Sequence, residues 1–365
     1  MSARARATSA RADRLTERLP DAGVDVLLVT DRINVRYVTG YTGSNGIALV
    51  GPDTREFVTD FRYVEQAAEE VDASFDRRRS SQHLIEGVED GLPAGEFRLG
   101  FEAAHVSVSE HERLRELLPE RIELVASTGV IEDLRSVKEP GELAAMRAAA
   151  ELADESFAVL IAGGLIGRSE RDLATRLEYE MRRRGAQRPS FDPIVAAGPH
   201  GALPHARPRD TQIRSGELVV IDWGAQLDDG YCSDSTRTVA AGPVNDAARD
   251  VYELVLEAQL AALEDVRVGA SGREVDAVAR SAIQAAGHGE HFGHGLGHGV
   301  GLEVHEAPRL SQRSDSVLIA GNVVTVEPGV YIPGEFGVRI EDLVVVTDDG
   351  CEILTAVSKA LTVVD

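Results

Sequence analysis

The chain has 365 residues, too many for one ordinary domain and few for three, so two domains are expected. Its 38 basic and 61 acidic side chains leave a formal charge of −23, which repels nucleic acid and anionic membrane and favours solubility. Only Lys138 and Lys359 are lysines; the Arg bias reads as genome composition and the acidity as a solvated surface, with adaptation to high salt as the alternative.

The first twelve residues, MSARARATSARA, are acid-free and rich in Arg, Ala and Ser, as transit peptides are. The apolar Leu15 and Leu19 that follow favour instead the frayed start of a helix. Strands are expected at residues 24–29 (VDVLLV), 46–50, 56–60, 97–101 and 122–125, with helical spacing at 62–71 and 109–118. This is an α/β domain over residues 1–130, without a GxGxxG, a P-loop or a clustered set of acids or histidines. A polar stretch at 127–139 marks the boundary, and residues 131–365 form the second domain. Pro140 suits a helix first turn, and Leu143, Met146, Ala150, Phe157 and Leu160 continue that helix. No apolar run approaches the ~18 residues of a membrane span. Cys232 and Cys351 provide neither a disulfide framework nor a CxxC pair, which fits a reducing, cytoplasmic setting.

The second domain contains a weak duplication. Residues 167–185 align without gaps on 269–287, each with a serine N-cap (Ser169, Ser271), an acid three positions later (Asp172, Glu274), helical apolar spacing and a closing glycine. The strand GELVVIDWG (216–224) matches GNVVTVEPG (321–329), and each leads to a further strand with a second acid, Asp234 or Glu341. Two such halves packed face to face would gather Asp222, Asp234, Glu327 and Glu341 around one pocket, an α+β arrangement of duplicated helices and antiparallel hairpins.

Carboxylates that end apolar runs such as VVID and VTVE are costly unless cations quench them. Four such acids balance two divalent ions. Histidine supplies a further ligand type: five of the ten histidines fall within 288–305, in a glycine-rich run that lets imidazoles approach a ligand closely. A mainly oxygen donor set with one or two imidazoles favours Mn²⁺, with Zn²⁺, Co²⁺ or Fe²⁺ as alternatives.

The strings YCSDSTRT, HGLGHGVGLEVHE, TVEPG and RIED, in order from about Lys138 to Asp365, resemble the pita-bread metallopeptidases, specifically the aminopeptidase P and prolidase (Xaa-Pro dipeptidase) branch. TGYTGSNG, at 39–46, is similar to that branch's creatinase-type N-terminal domain. The resemblance implies that Asp222, Asp234, His298, Glu327 and Glu341 hold two metal ions. It implies that His305 bonds the substrate carbonyl, that His205 protonates the leaving nitrogen, and that His294 contacts or gates substrate. Arg339 is assigned to the substrate site, steadying Glu341. The ions would share a water, supply hydroxide at neutral pH, and cut the Xaa-Pro bond of dipeptides or short peptides, with Glu327 relaying the proton. A homodimer is implied as well. The interval from Asp222 to Asp234 is one position longer than the family's usual spacing, and the extra residue is placed in a turn at Asp228–Gly230.

Blander roles are expected elsewhere. His200, His288 and His291 read as ordinary polar residues, Arg237 as a salt-bridge partner, and Cys232 and Trp223 as packing. The rival readings are a methionine aminopeptidase, a metal-free creatinase and a binding module that has lost its ligands.

Overall fold

The computed structural model describes residues 3–365, so Met1 and Ser2 of the Arg/Ala/Ser-rich opening lie outside the described residues. From Ala3 to Arg18 the chain is helical, and Ala12, Leu15 and the following Leu19 are buried. The chain divides into two compact units, one up to Arg135 and one from Ser136.

The first unit is built on a six-stranded sheet. Its order is Asp76–Arg79, Thr54–Thr59, Gly46–Gly51, Val26–Val29, Phe97–Glu102, Ile122–Ser127. Val26–Val29 runs parallel to Phe97–Glu102, which runs parallel to Ile122–Ser127; this is why Val26–Val29 is a continuous buried apolar run. Three elements escape a reading by periodicity. Asp76–Arg79 is a charged, largely exposed strand. Helix Arg32–Thr39 is rich in β-branched and aromatic residues, and helix Val130–Ser136 occupies the polar stretch read as a boundary.

The second unit has two similarly built halves. In the first, helices Pro140–Ala162 and Glu170–Arg183 cover a sheet of Val363–Val364, Ser235–Ala241, Glu217–Trp223 and Ile194–Ala197. In the second, helices Asp246–Asp265 and Gly272–Ala285 cover Glu306–Leu310, Gly297–Gly299, Val323–Val326, Asp342–Thr347 and Gly350–Ile353. Each half has its own apolar core. The aligned helices start alike: Ser169 accepts from the Asp172 N–H and Ser271 from that of Glu274, but only Ser271 completes the reciprocal capping box. Both helices are followed by a left-handed glycine, Gly185 or Gly287.

The equivalent hairpins pair Thr236 with Asp222, and Asp342 with Val326. The halves meet where the Glu341 N–H donates to the Thr236 carbonyl at 3.0 Å. The four acids therefore sit at strand ends and junctions rather than inside the strands, a correction to the hairpin picture above. Asp222 is the penultimate residue of Glu217–Trp223, Asp234 immediately precedes Ser235–Ala241, and Glu327 immediately follows Val323–Val326. Glu341 lies between Phe336–Arg339 and Asp342–Thr347. At such positions the ladder fixes the neighbouring backbone while the side chain is free to turn toward the junction.

Candidate metal centre and active site

A cavity of about 520 Å³ opens at this junction. All nine residues singled out above line it: Asp222, Asp234, His298, Glu327, Glu341, His205, His294, His305 and Arg339. Asp228 and Asp229 form a turn, with Gly230 at φ +90°, so the strand register is kept and Asp234 reaches the cavity.

Asp234, His298 and Glu341 each bring a donor atom to within 4.8 Å of the others. The His298 Nδ1–H donates to the Gly299 carbonyl at 3.0 Å. This leaves the Nε2 lone pair facing Glu327 Oε1 at 3.3 Å and Asp234 Oδ2 at 3.7 Å. Burial pushes the His298 imidazole down to about 3, so it is neutral at pH 7, the form that ligates metal. Burial, reinforced by the neighbouring carboxylates, holds Asp234 and Glu341 well above the usual carboxylate range. Glu327 is pushed up to about 8, by burial first and by the Asp222 charge.

One atom tests the set for metal. Asp222 Oδ2 accepts from the Arg339 Nη2 at 2.6 Å, but its Oδ1 is buried with no hydrogen-bond partner. An orphaned carboxylate oxygen in a ring of mutually repelling acids is what a divalent cation satisfies. The residues fit such ions.

Arg339 needs correction. Its Nε donates to Thr236 Oγ1 at 3.1 Å, and its Nη1 to the Tyr331 hydroxyl at 2.8 Å and the Pro204 carbonyl at 3.2 Å. With Nη2 on Asp222, every guanidinium nitrogen has a protein partner. Arg339 therefore steadies Asp222, and reaches Glu341 only through Thr236, whose hydroxyl donates to Glu341 Oε2 at 2.7 Å. His294 is similarly engaged. Its Nδ1–H donates to the Gly295 carbonyl at 2.7 Å, and its Nε2 accepts from the Tyr331 hydroxyl at 2.9 Å. Burial lowers His294 to about 4, so it presents a neutral ring wall to the cavity. His205 and His305 are exposed at the cavity, and the His305 ring lies 4.4 Å from that of His298.

Of the residues given blander roles, His200 is no ordinary polar residue: it is buried with Nδ1 2.8 Å from Glu170 Oε2. His288 and His291 contact each other through Nδ1 atoms 3.0 Å apart. Arg237 forms a buried ion pair with Asp342 at 2.7 Å. Trp223 stacks on Phe157 with centroids 4.2 Å apart, and burial pushes the Cys232 thiol up to about 11. Sequence reasoning passed over Thr236, Tyr331, Arg207 and Arg309. Thr236 was within reach, since a residue two along from Asp234 faces the same side. Tyr331 and the two cavity-lining arginines carry no such signal.

A duplicated α+β unit with an acid-and-imidazole ring where its halves meet defines a metallohydrolase of the pita-bread architecture. Metallopeptidase family M24 matches residues 144–348, and the Creatinase/Prolidase N-terminal domain matches residues 11–137. The uncharacterized peptidase YqhT of Bacillus subtilis is 41% identical over 352 residues, covering 96% of this chain and 99% of its own. The solved Xaa-Pro dipeptidase from Bacillus anthracis superimposes with a TM-score of 0.93 at 39% identity, covering 98% of this chain and 100% of its own. The X-Pro aminopeptidase from Thermotoga maritima follows at 0.88 and 37%, covering 97% and 100%. The chain belongs to metallopeptidase family M24, with a creatinase-type N-terminal domain preceding the catalytic one, and it is a metal-dependent peptidase.

Proposed function

We propose that this peptidase hydrolyses the Xaa-Pro bond of dipeptides and of short peptides with proline second. The observation that carries this reading is the convergence of Asp222, Asp234, His298, Glu327 and Glu341 on one cavity rimmed by His205 and His305. Those five residues would hold two divalent ions, with Mn²⁺ favoured by the oxygen-rich set and Co²⁺ or Zn²⁺ as alternatives. Bound there, the ions would polarise the scissile carbonyl and lower the pKa of a shared water.

The chain's own residues supply the rest. Glu327 takes the proton of the attacking water on its carboxylate and passes it toward the leaving nitrogen. His205 stands where that nitrogen is protonated, and His305 donates to the carbonyl oxygen as charge develops. Tyr331 and Arg339 hold the walls in place. An Xaa-Pro bond has no N–H, so a site that gripped its substrate as an added strand would lack a donor there. A cavity with an acidic floor instead receives the free ammonium end. Arg207 and Arg309 line the same cavity, and a guanidinium there would pair with the carboxylate of a dipeptide, which supports dipeptides as the preferred substrates.

On this reading catalysis belongs to residues 131–365, residues 1–130 form the accompanying domain, and the protein works as a cytoplasmic homodimer without nucleic acid. Among the described residues no helix is long and apolar enough to cross a membrane. The test is hydrolysis of Ala-Pro, Arg-Pro-Pro and Ala-Ala by protein stripped of metal and refilled with Mn²⁺, Co²⁺ or Zn²⁺. Ala-Pro cleavage restored by metal, with Ala-Ala left intact, is expected. Equal cleavage of Ala-Ala, or none with any ion, would overturn the assignment.

A further inference from the structure

Behind the cavity stands a buried acid that takes no part in the metal cluster. Glu170 opens the helix Glu170–Arg183 and is 0% exposed. Its Oε1 accepts from the Ala197 N–H at 2.9 Å, and its Oε2 from the Arg209 N–H at 2.9 Å. His200 Nδ1 approaches both oxygens, at 2.9 and 2.8 Å. Ala197 and Arg209 are the two ends of a loop, His200 lies inside it, and His205 projects from it into the cavity. One carboxylate thus closes the loop that carries a proposed catalytic histidine.

The loop's inner contacts point the same way. Residues Gly198–Ala202 form a short 3₁₀ turn, and a Cβ at Gly201 would lie 3.2 Å from the Ala196 carbonyl and 3.3 Å from the Gly337 nitrogen, so the turn packs against the strand Phe336–Arg339. Next to His205, the Pro204 carbonyl accepts from Arg339, the group that also holds Asp222. The His205 ring itself is exposed, so its place is set through its backbone, and that backbone hangs from Glu170 and Arg339.

We propose that Glu170, assisted by His200, is a positioning residue for His205: it fixes the loop so that the imidazole meets the leaving nitrogen. A buried carboxylate accepting two backbone N–H groups and one imidazole N–H is well suited to this, because each bond is charge-assisted and the three donors come from different points of one loop. Glu170→Gln puts an NH₂ group against donors that need an acceptor, and so frees one end of the loop. Displacement of a catalytic group by about 1 Å costs on the order of 10²-fold in rate. The proposal rests on the reading of His205 as the group that serves the leaving nitrogen.

The experiment is a double-mutant cycle on Ala-Pro turnover, with metal content measured on every variant. Glu170→Gln alone is expected to lower kcat by at least about tenfold while KM and metal content hold, since no proposed ligand lies on the loop. His205→Ala should lower it further. The double variant should be no slower than His205→Ala, because Glu170 has then nothing left to position. Losses that multiply, or a Glu170→Gln enzyme with full turnover, overturn the proposal while leaving His205 its role. A fully active His205→Ala enzyme overturns the reading of His205 and the proposal with it. If Glu170→Gln fails to fold, His200→Ala takes its place in the cycle. Its smaller loss in kcat should vanish in the His205→Ala background and be recovered by His200→Gln, which restores an N–H donor; a loss that persists there overturns the proposal.

Discussion

Asp234, Glu327 and Glu341 share an environment that favours their protonated forms while no cation is present. Burial is the first cause for all three, and the neighbouring carboxylates add to it. Glu327, pushed up to about 8, is protonated at neutral pH, and a divalent ion must displace that proton to bind. Loading metal-free protein with Mn²⁺ at pH 7 is therefore expected to release protons. Calorimetry in two buffers of different ionisation enthalpy reads this directly, and a heat independent of the buffer would refute it. Glu327 was legible in the sequence because a carboxylate closing an apolar run is an anomaly that demands a cation, and Asp234 and Glu341 because each repeated strand leads to a further strand with a second acid. The partner of Arg339 was not legible. Whether it meets Asp222 or Glu341 depends on which strand lies opposite, and that is fixed by the junction of Thr236 with Glu341, 105 positions apart.

At the scale of elements, the two acid-bearing strands are tied together from behind. The Arg237 Nη1 donates to the carbonyls of Thr236 and Glu341, at 2.9 and 2.5 Å, and its Nη2 to Asp342 and the Val357 carbonyl, each at 2.7 Å. Asp342 also accepts from Gln259, Thr355 and Lys359, so residues 355–359 brace the junction. Helix Pro140–Ala162 joins this brace through Asp154, whose Oδ2 accepts from the Ala356 N–H at 2.5 Å while Oδ1 is buried without a partner. Burial pushes Asp154 up to about 6 from an unfolded value near 3.8. Because its folded pKa is raised, its contribution is fully present below about pH 4 and is lost as pH rises through about 6. A rise of that size corresponds to about 3 kcal/mol, reduced to about 2 by the water that still reaches the group. Asp154→Asn should therefore gain about 2 kcal/mol over the parent between pH 4 and pH 7.5. Urea unfolding at both pH values measures this, and a difference that does not change with pH would exclude it. Apolar periodicity predicted most strands of the first unit, the repeated strands of the second and the helices Pro140–Ala162, Glu170–Arg183 and Gly272–Ala285, but neither Asp246–Asp265 nor Arg32–Thr39. There the Asp31 cap, accepting from the Ile33 and Asn34 N–H groups, and the left-handed Gly40 override the strand-like residues between them. The brace around Arg237 was invisible for another reason: its partners come from four separate stretches of chain.

For the whole molecule the dominant quantity is the charge of −23, which makes the surface repel itself in the folded state. Exposed ion pairs such as Arg98–Asp25 and Arg171–Asp210 oppose that repulsion, but each is weak in water and is screened by the same salt. With acids outnumbering bases 61 to 38, screening removes more repulsion than attraction. Raising KCl from about 10 mM to about 0.5 M shortens the Debye length from roughly 30 Å to roughly 4 Å, so Tm should rise by a few degrees and then level off. A surface acidic only for hydration keeps the protein folded at the low end of that range. A surface adapted to high salt would instead unfold there and keep gaining stability into molar KCl. The carboxylates of the cavity answer to a different influence: bulk ions do not reach buried groups, so the same titration should leave the number of bound Mn²⁺ ions unchanged. Thermal melts and metal content followed together across the KCl series separate the two effects, and metal lost in step with the rise in Tm would show that the acidic ring is open to solvent after all.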